Sequence, residues 1–498
     1  GGVDIVWGGA PGSRSAIRIR GTSTLNASSD PLIVIDGVPY PTEISDDFNF
    51  STATEEDLGA LLNISPNDIA SVEVLKDASA TAIWGTQGAN GVLVIKTKQG
   101  TVGKTRFSFS SKWTMKEDPS TIPMLNGKEY TSLMQESIWN SAKYIGLNNP
   151  GNKYLNMLSD APAIGDNPDW RYYDEYNQNT NWLDYVRQKA LVSDNSFSMN
   201  GGGEKATYSV GLGYMNREGT IKESWFRRYS LRANTNFFVN KWFNIGQNTN
   251  IAVIENSGER GRQGDDNTFG KTFSIQPWVP IYTVGGDYSG SQNAEGGRAE
   301  SAPMSVDYGK DNRRRFLRAQ SAIYAEIMPL ESLGENLKIR TQFSARLGGA
   351  WDFWMNKRTI MTNKEGRNNN EFYEQANYWL DYQWTNTATY SKTINDDHTI
   401  NAVIGTEALR EGLGRWIQAG RINYPFEDDP NTWVINNGAS SDLRNSGNQN
   451  AVSTMFGMFA RADYAYQGKY LATVTVRRDA SSRFSEKNRW GTFPSISL

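Results

Sequence analysis

The sequence predicts a membrane all-β protein: a large antiparallel transmembrane β-barrel with a small α/β unit ahead of it. Three observations lead there. After Lys104 most of the 498 residues fall into runs in which apolar and polar residues alternate one by one. The links between these runs are alternately short and long. Ahead of them, residues 67–98 read as strand, helix, strand.

The small unit is legible residue by residue. Ser65-Pro66-Asn67-Asp68 places a serine at an N-cap, a proline at the first helical position and a carboxylate three residues after the cap, which starts a short helical turn. Val72 and Val74 alternate with Glu73 and Leu75, a strand of period two. Asp77 is placed to cap a helical run over residues 78–84, and Gly85 is expected to end that run in the left-handed conformation. Asn90-Gly91 is a tight turn, and residues 92–95 are a buried strand. The Gly-rich run from Gly85 through Gly88 to Gly91 lacks a Gly-Lys-Ser/Thr ending and opens no helix, so it is not read as a phosphate loop.

Composition excludes several function classes. A net charge of −3, from 51 basic and 54 acidic residues, offers no excess of positive charge for nucleic acid. With no cysteine and a single histidine, His398, thiol catalysis, Cys/His zinc sites and a Ser-His-Asp triad have almost no material. His398 lies in a hydrophilic turn and is read as solvated. The pairs Asp265-Asp266 and Asp428-Asp429 lack EF-hand spacing and are read as loop charges. No metal site, no cofactor and no enzymatic activity are therefore expected. No segment approaches the roughly eighteen consecutive apolar residues of a spanning helix, and the mean hydropathy is −0.59. A barrel escapes that criterion, because only every second residue of its strands faces lipid. Aromatics at 12% and 47 glycines suit membrane girdles and tight turns.

Strands are placed near 104–113, 192–201, 205–215, 227–238, 241–255, 315–329, 336–346, 376–391, 397–411, 452–466 and 468–480, with a twelfth starting near Trp490. In the third, Tyr208, Val210, Leu212 and Tyr214 alternate with Ser209, Gly211 and Gly213. In the fourth, Tyr229, Leu231, Ala233 and Phe237 oppose Ser230, Arg232, Asn234 and Asn236. A soluble sandwich with one solvated face is the competing explanation. The links argue against it: short ones at 202–204, 239–240, 329–335, 392–396 and 467 exchange strictly with longer ones at 114–191, 216–226, 256–314, 347–375, 412–451 and 481–489. In the first long link, Asn126 and Glu129 form a capping box, and Tyr130, Leu133, Met134 and Ile138 recur at helical spacing. A helix packing over the barrel mouth is expected there.

Three blocks carry a family resemblance. IRIRG at 17–21, with Arg20 and Gly21; PLIVIDGVP at 31–39, with Asp36 and Gly37; and the unit at 67–98, with Lys76, Asp77, Gly85, Gly88, Asn90 and Gly91, together resemble the plug signature of the SusC/RagA family of TonB-linked outer-membrane proteins. The resemblance continues through residues 204–214, 468–484 and 490–495, although Ala480 stands where the family usually has glycine. It implies an α/β plug domain over 1–100 inside a barrel that begins at 101–498, with the long links outside the cell. Such a barrel has about 22 strands when complete, and a half barrel would leave unpaired edges in lipid. The chain, which opens GGVDIVWGG with no signal peptide, is accordingly expected to be a fragment truncated at both ends, the TonB box and the start of the plug lying outside it.

The resemblance further implies TonB-dependent import of oligosaccharides, or less often peptides, with a SusD-like surface lipoprotein as lid. A siderophore or cobalamin receptor of the wider TonB-dependent class is the alternative, and a passive porin or an adhesin a more distant one. Geometry then names a candidate substrate surface. It comprises Asp46, Asp47, Phe48 and Asn49 at the plug apex, and the aromatics Trp278, Tyr282, Trp351, Trp354, Tyr373, Trp416 and Trp433, assigned to loops. Aromatic faces stack on sugar rings; the competing role for each is loop packing or contact with the lipoprotein.

Overall fold

Strict polar/apolar alternation produces one continuous meander. The structure, a computed structural model, describes residues 3–7, 15–19, 32–40, 65–75, 81–88, 90–117, 123–149, 179–257, 272–273, 277, 280–282, 286, 288, 302–329, 336–358, 369–439 and 443–498. Its large antiparallel sheet has thirteen strands, twelve of them on an unbroken path. In order these are β7 (Gly103–Lys116), β8 (Ala190–Gly202), β9 (Ala206–Glu218), β10 (Trp225–Asn240), β11 (Phe243–Ser257), β12 (Arg313–Ile327), β13 (Asn336–Asn356), β14 (Glu371–Ile394), β15 (His398–Ile422), β17 (Ser453–Tyr466), β18 (Tyr470–Ser481) and β19 (Trp490–Ser497). The thirteenth, β16 (Arg444–Gln449), pairs with the far end of β15. Short turns gather at one end of the sheet. Two of them carry consecutive positive φ angles, Asn395 and Asp396 (51° and 62°) and Gln467 and Gly468 (51° and 64°), which match the twist of the flanking strands.

Three strands run longer than the sequence pattern indicated. β13, β14 and β15 extend beyond 336–346, 376–391 and 397–411. The ladder runs on through Gly348, Gly349 and Gly414, with a bulge between Leu380 and Tyr382 opposite Gly412. Trp351, Trp354, Tyr373 and Trp416, assigned to loops from sequence, are consequently strand residues.

The small sheet is four-stranded, in the order β4 (Val38–Tyr40), β3 (Leu32–Ile35), β6 (Val92–Thr97), β5 (Ile69–Leu75). Its central pair β3 and β6 is parallel, with Leu32 opposite Val92 and Ile35 opposite Ile95. Central parallel strands bury both faces and therefore read as unbroken apolar runs, here LIVI and VLVI. Ile33, Ile35, Leu93 and Ile95 pack on one side, and Leu32, Val34 and Val92 on the other. Asp36 and Gly37, with φ of 49° and 81°, close the β3–β4 hairpin. A separate pair, β1 (Val3–Trp7) and β2 (Ser15–Ile19), is antiparallel.

Two local expectations change. The turn after β5 is a 3-10 helix over Ala82–Gly88 rather than a helix ending at Gly85, and Gly85 (φ 60°, ψ −143°) is a kink inside it. The helix α1 (Gly127–Ile145) is capped as foreseen, Glu129 N–H donating to Asn126 Oδ1 at 2.9 Å and Asn126 N–H to the Glu129 carboxylate at 3.0 Å. Its Leu133, Trp139 and Tyr144 are exposed and its Ala142 is buried, while the side chains of Met134 and Ile138 lie outside the described residues. No described helix is long and apolar enough to cross a membrane, which leaves open a crossing by strands.

Candidate functional site

Contacts with the small sheet mark the inner face of the large one. On β10, Arg232 Nη1 donates to Lys98 O (2.7 Å) and Ser209 Oγ (3.0 Å), and its Nε lies 3.0 Å from Asp68 Oδ1. Two residues on, Asn234 Nδ2 donates to Thr97 Oγ1 (2.7 Å) and Lys98 O (2.9 Å). From β13, Arg346 Nη1 donates to Pro39 O at 2.8 Å, and from β12 Gln320 Nε2 approaches Ile35 O at 3.5 Å. From β18, Arg477 donates to Ile83 O; its Nε reaches Asp479 Oδ1 at 2.7 Å and its Nη2 Glu407 Oε2 at 3.2 Å. All these donors share one strand parity. The opposite parity exposes Tyr229, Leu231, Leu317, Ile323, Phe343, Leu347, Val474 and Val476, an apolar outer surface.

The small sheet therefore sits against the concave wall, pinned by arginines whose side chains are 2%, 9% and 1% exposed at positions 232, 346 and 477. Each donates into a backbone carbonyl that strand pairing leaves available, and each is itself neutralised by a carboxylate: Asp68, Asp381 or Glu407 with Asp479. Gly85 belongs to this seat. A Cβ there would stand 2.3 Å from Asp479 Oδ2, so only glycine lets the turn meet the wall. On the β10 side the contact continues inward, from Asn234 through Thr97 to the Asp36 carboxylate, which accepts from Thr97 N–H (2.8 Å) and Oγ1–H (2.7 Å). Burial pushes the Asp36 carboxyl above the usual carboxylate range, and the two Thr97 bonds oppose that rise.

Above the seat, register assigns the wall to rows. Gln320, Arg346 and Asp381 form the row that meets the small sheet. The next contains Arg318, Gly348, Trp379 and Gly414; then come Phe316, Ala350, Asn377 and Trp416; then Arg314, Asp352, Gln375 and Gln418; and then Trp354, Tyr373 and Gly420. Successive rows are about 7 Å apart along a strand. Arg314 pairs with Asp352 at 3.1 Å. The rings of Trp354 and Tyr373 stack at 5.2 Å.

This geometry sorts the sequence candidates. Trp354, Tyr373 and Trp416 share the inner face. Trp351 has the outer parity, half-exposed, with its indole N–H on Glu374 at 2.8 Å and Arg315 over its ring, an arrangement suited to a girdle and not to the lumen. Trp433 is 5% exposed and packs with Met355, Phe372 and Tyr424 on the outer side of the strand ends, the loop-packing role weighed for it above. Tyr282 bonds Tyr185 between their hydroxyls at 2.7 Å and has the Tyr288 ring 5.0 Å from its own. Among the signature residues, Asp36 and Gly37 form the hairpin, Gly85 the seat, and Gly91 (φ 96°) the turn before β6 with Asn90; Gly88 is packed against Trp84 and Val92. Arg20, Gly21, Asp46, Asp47, Phe48, Asn49, Lys76, Asp77 and Trp278 lie outside the described residues. Sequence reasoning missed Arg318, Gln320, Arg346, Trp379 and Arg477. Their signal, a large polar or aromatic residue at inner parity, was present but carried no depth.

Residues 1–92 match the model of the TonB-dependent receptor plug domain. The TonB-dependent receptor SusC of Bacteroides thetaiotaomicron is 27% identical over 100% of this chain and 46% of its own length. A TonB-dependent receptor of Formosa agariphila is 30% identical over 98% of this chain and 44% of its own length. The solved structure of the RagAB peptide transporter superposes with a TM-score of 0.72 at 25% identity, over 99% of this chain and 54% of that one. The chain thus spans about half the length of the curated relatives it matches. A plug sheet pinned against an antiparallel wall, with relatives matching across nearly all of the chain, leads to one conclusion: the chain is similar, from its plug through its wall strands, to the SusC/RagA-type TonB-dependent receptors.

Proposed function

We propose that the chain supplies the gate and part of the wall of a TonB-dependent importer for oligosaccharides or peptides, with the plug ending near residue 100 and the barrel beginning at 101. The observation that carries this reading is the seat itself. A folded sheet held across a wide barrel by buried, neutralised arginines closes the pore, so passage needs work done on the plug. TonB, driven by the inner-membrane proton gradient, is the source of that work in this proposal. The tiers of Trp354, Tyr373 and Trp416 above the plug offer aromatic faces for sugar rings or peptide side chains. A SusD-like lipoprotein is the proposed lid, and the exposed Leu133, Trp139 and Tyr144 of α1 are an apolar face suited to it. The relative named a peptide transporter keeps peptides within the proposal.

A deletion strain tests it. Loss of growth on a defined glycan or peptide as sole carbon source, restored by the wild-type gene and abolished by a protonophore, is the expected result. A growth defect confined to iron limitation would point to a siderophore receptor instead, and a constitutively open pore in single-channel recordings would end the gating proposal.

A further inference from the structure

Arg318 stands one register row above Gln320 and Arg346, the wall residues that meet the small sheet. The inner-face arginines two rows above and one row below it on these strands have acidic partners: Arg314 has Asp352 at 3.1 Å, and Arg346 has Asp381 at 3.3 Å and Glu411 at 3.6 Å. Arg318 differs. Its guanidinium carbon lies 4.1 Å from the centroid of the Trp379 ring and 5.8 Å from that of Phe316, and among the described residues it has no carboxylate or hydrogen-bond acceptor. Trp379 can lie flat beneath it because its strand neighbour is Gly348, where any Cβ would stand 2.0 Å from the indole.

A guanidinium stacked on an indole keeps its full charge, and its N–H edge stays fixed and available while the ring face is used. Such an edge matches a planar anion with two oxygens. In the row above, Asn377 adds an amide and Trp416 an aromatic face. We propose that Arg318, with Trp379 as its platform, is a cargo-contacting residue that selects ligands bearing a carboxylate, whether a uronic acid in a glycan or an acidic side chain in a peptide. The location rests on the import reading above; the anion preference is a binding property that can be measured without transport.

The test uses the full-length receptor in nanodiscs and two matched probe pairs: an oligogalacturonate against its methyl ester, and a Glu-containing peptide against its Gln counterpart. The wild type is expected to bind one carboxylate member about tenfold or more tighter than its neutral twin, and the responding pair identifies the source. Arg318→Gln should bring the ratio close to one while neutral-probe affinity is kept, and Arg318→Lys, which keeps the charge without the fork, should restore only part of it. Equal binding within both pairs by the wild type, no binding of either carboxylate probe, or a ratio unchanged in Arg318→Gln would each overturn the proposal. The wild-type ratio needs no variant to fold. Protonophore-sensitive growth is scored separately, so an importer without anion preference and an anion-binding protein without import give different results.

Discussion

Two levels of the same inner wall use arginine in opposite ways. At the plug, Arg232, Arg346 and Arg477 are buried, neutralised and directed into plug carbonyls. One row above Arg346, Arg318 rests on an indole, with no acid beside it among the described residues. Residue type and face are the same, and what differs is the partner: a buried carboxylate and a plug carbonyl for the three, an indole for Arg318. Buried pairs are costly to break, because removal of one charge strands the other. A partly exposed arginine stacked on a ring strands nothing.

The sharpest way to break this contrast is Arg477→Met. It leaves Glu407 and Asp479, 6% and 7% exposed, without their cation, and should cost about 3–5 kcal/mol. The variant should melt earlier in denaturant and leak solute from proteoliposomes; a tight pore of unchanged stability would mean that the plug is seated by other contacts. Trp433→Ala should cost about 3 kcal/mol at the strand ends, where the ring fills an outer cluster. It should speed hydrogen exchange around residues 424–437 without altering cargo affinity. Gly85→Ala forces a Cβ into positive φ and against Asp479, at about 2 kcal/mol, and should raise leakage less than Arg477→Met does. Trp416→Ala reverses the Trp433 result, with stability within about 0.5 kcal/mol but weaker binding of a neutral oligosaccharide by titration calorimetry.

The smallest effect concerns Asp36. Its raised carboxyl contributes stability below the ordinary carboxylate range, near 3.8, and that contribution is lost as pH climbs through the raised value. Compared between pH 4 and pH 7, wild-type melting should show this loss, and Asp36→Asn should lack that component of it.

Alternation made the two faces legible early, since it already separated Arg232 and Asn234 from Tyr229 and Leu231 before any register was known. The Asn90-Gly91 turn and the Asn126/Glu129 box also followed from local chemistry. Strand ends were less legible, because glycines that make room for a neighbouring ring, as Gly348 does for Trp379, look like breakers in one dimension. Depth along the pore was not legible at all. It depends on how many residues each strand is offset from the next, accumulated across the meander, and Arg477 meets Ile83 from 394 positions away. Because β13 and β15 were ended early, at 346 and 411, Trp351 and Trp416 looked like equivalent loop aromatics, although they occupy opposite sides of the wall.

The junction between the small sheet and the wall limits how the gate can move. Only residues 98–102 separate Thr97 from Gly103, a leash of about 17 Å at full stretch. It is also stapled: Lys98 O is held by Arg232 and Asn234, Gln99 O by Asn200 at 2.7 Å, and Thr101 by the same Asn200 at 2.8 Å. Any force on the plug therefore acts against a fixed pivot beside β8–β10, and the edge near Ile83 and Pro39 must travel farthest. In the proposed importer the gate would hang like a door, with its hinge on β8–β10 and its bolts at Arg346 and Arg477.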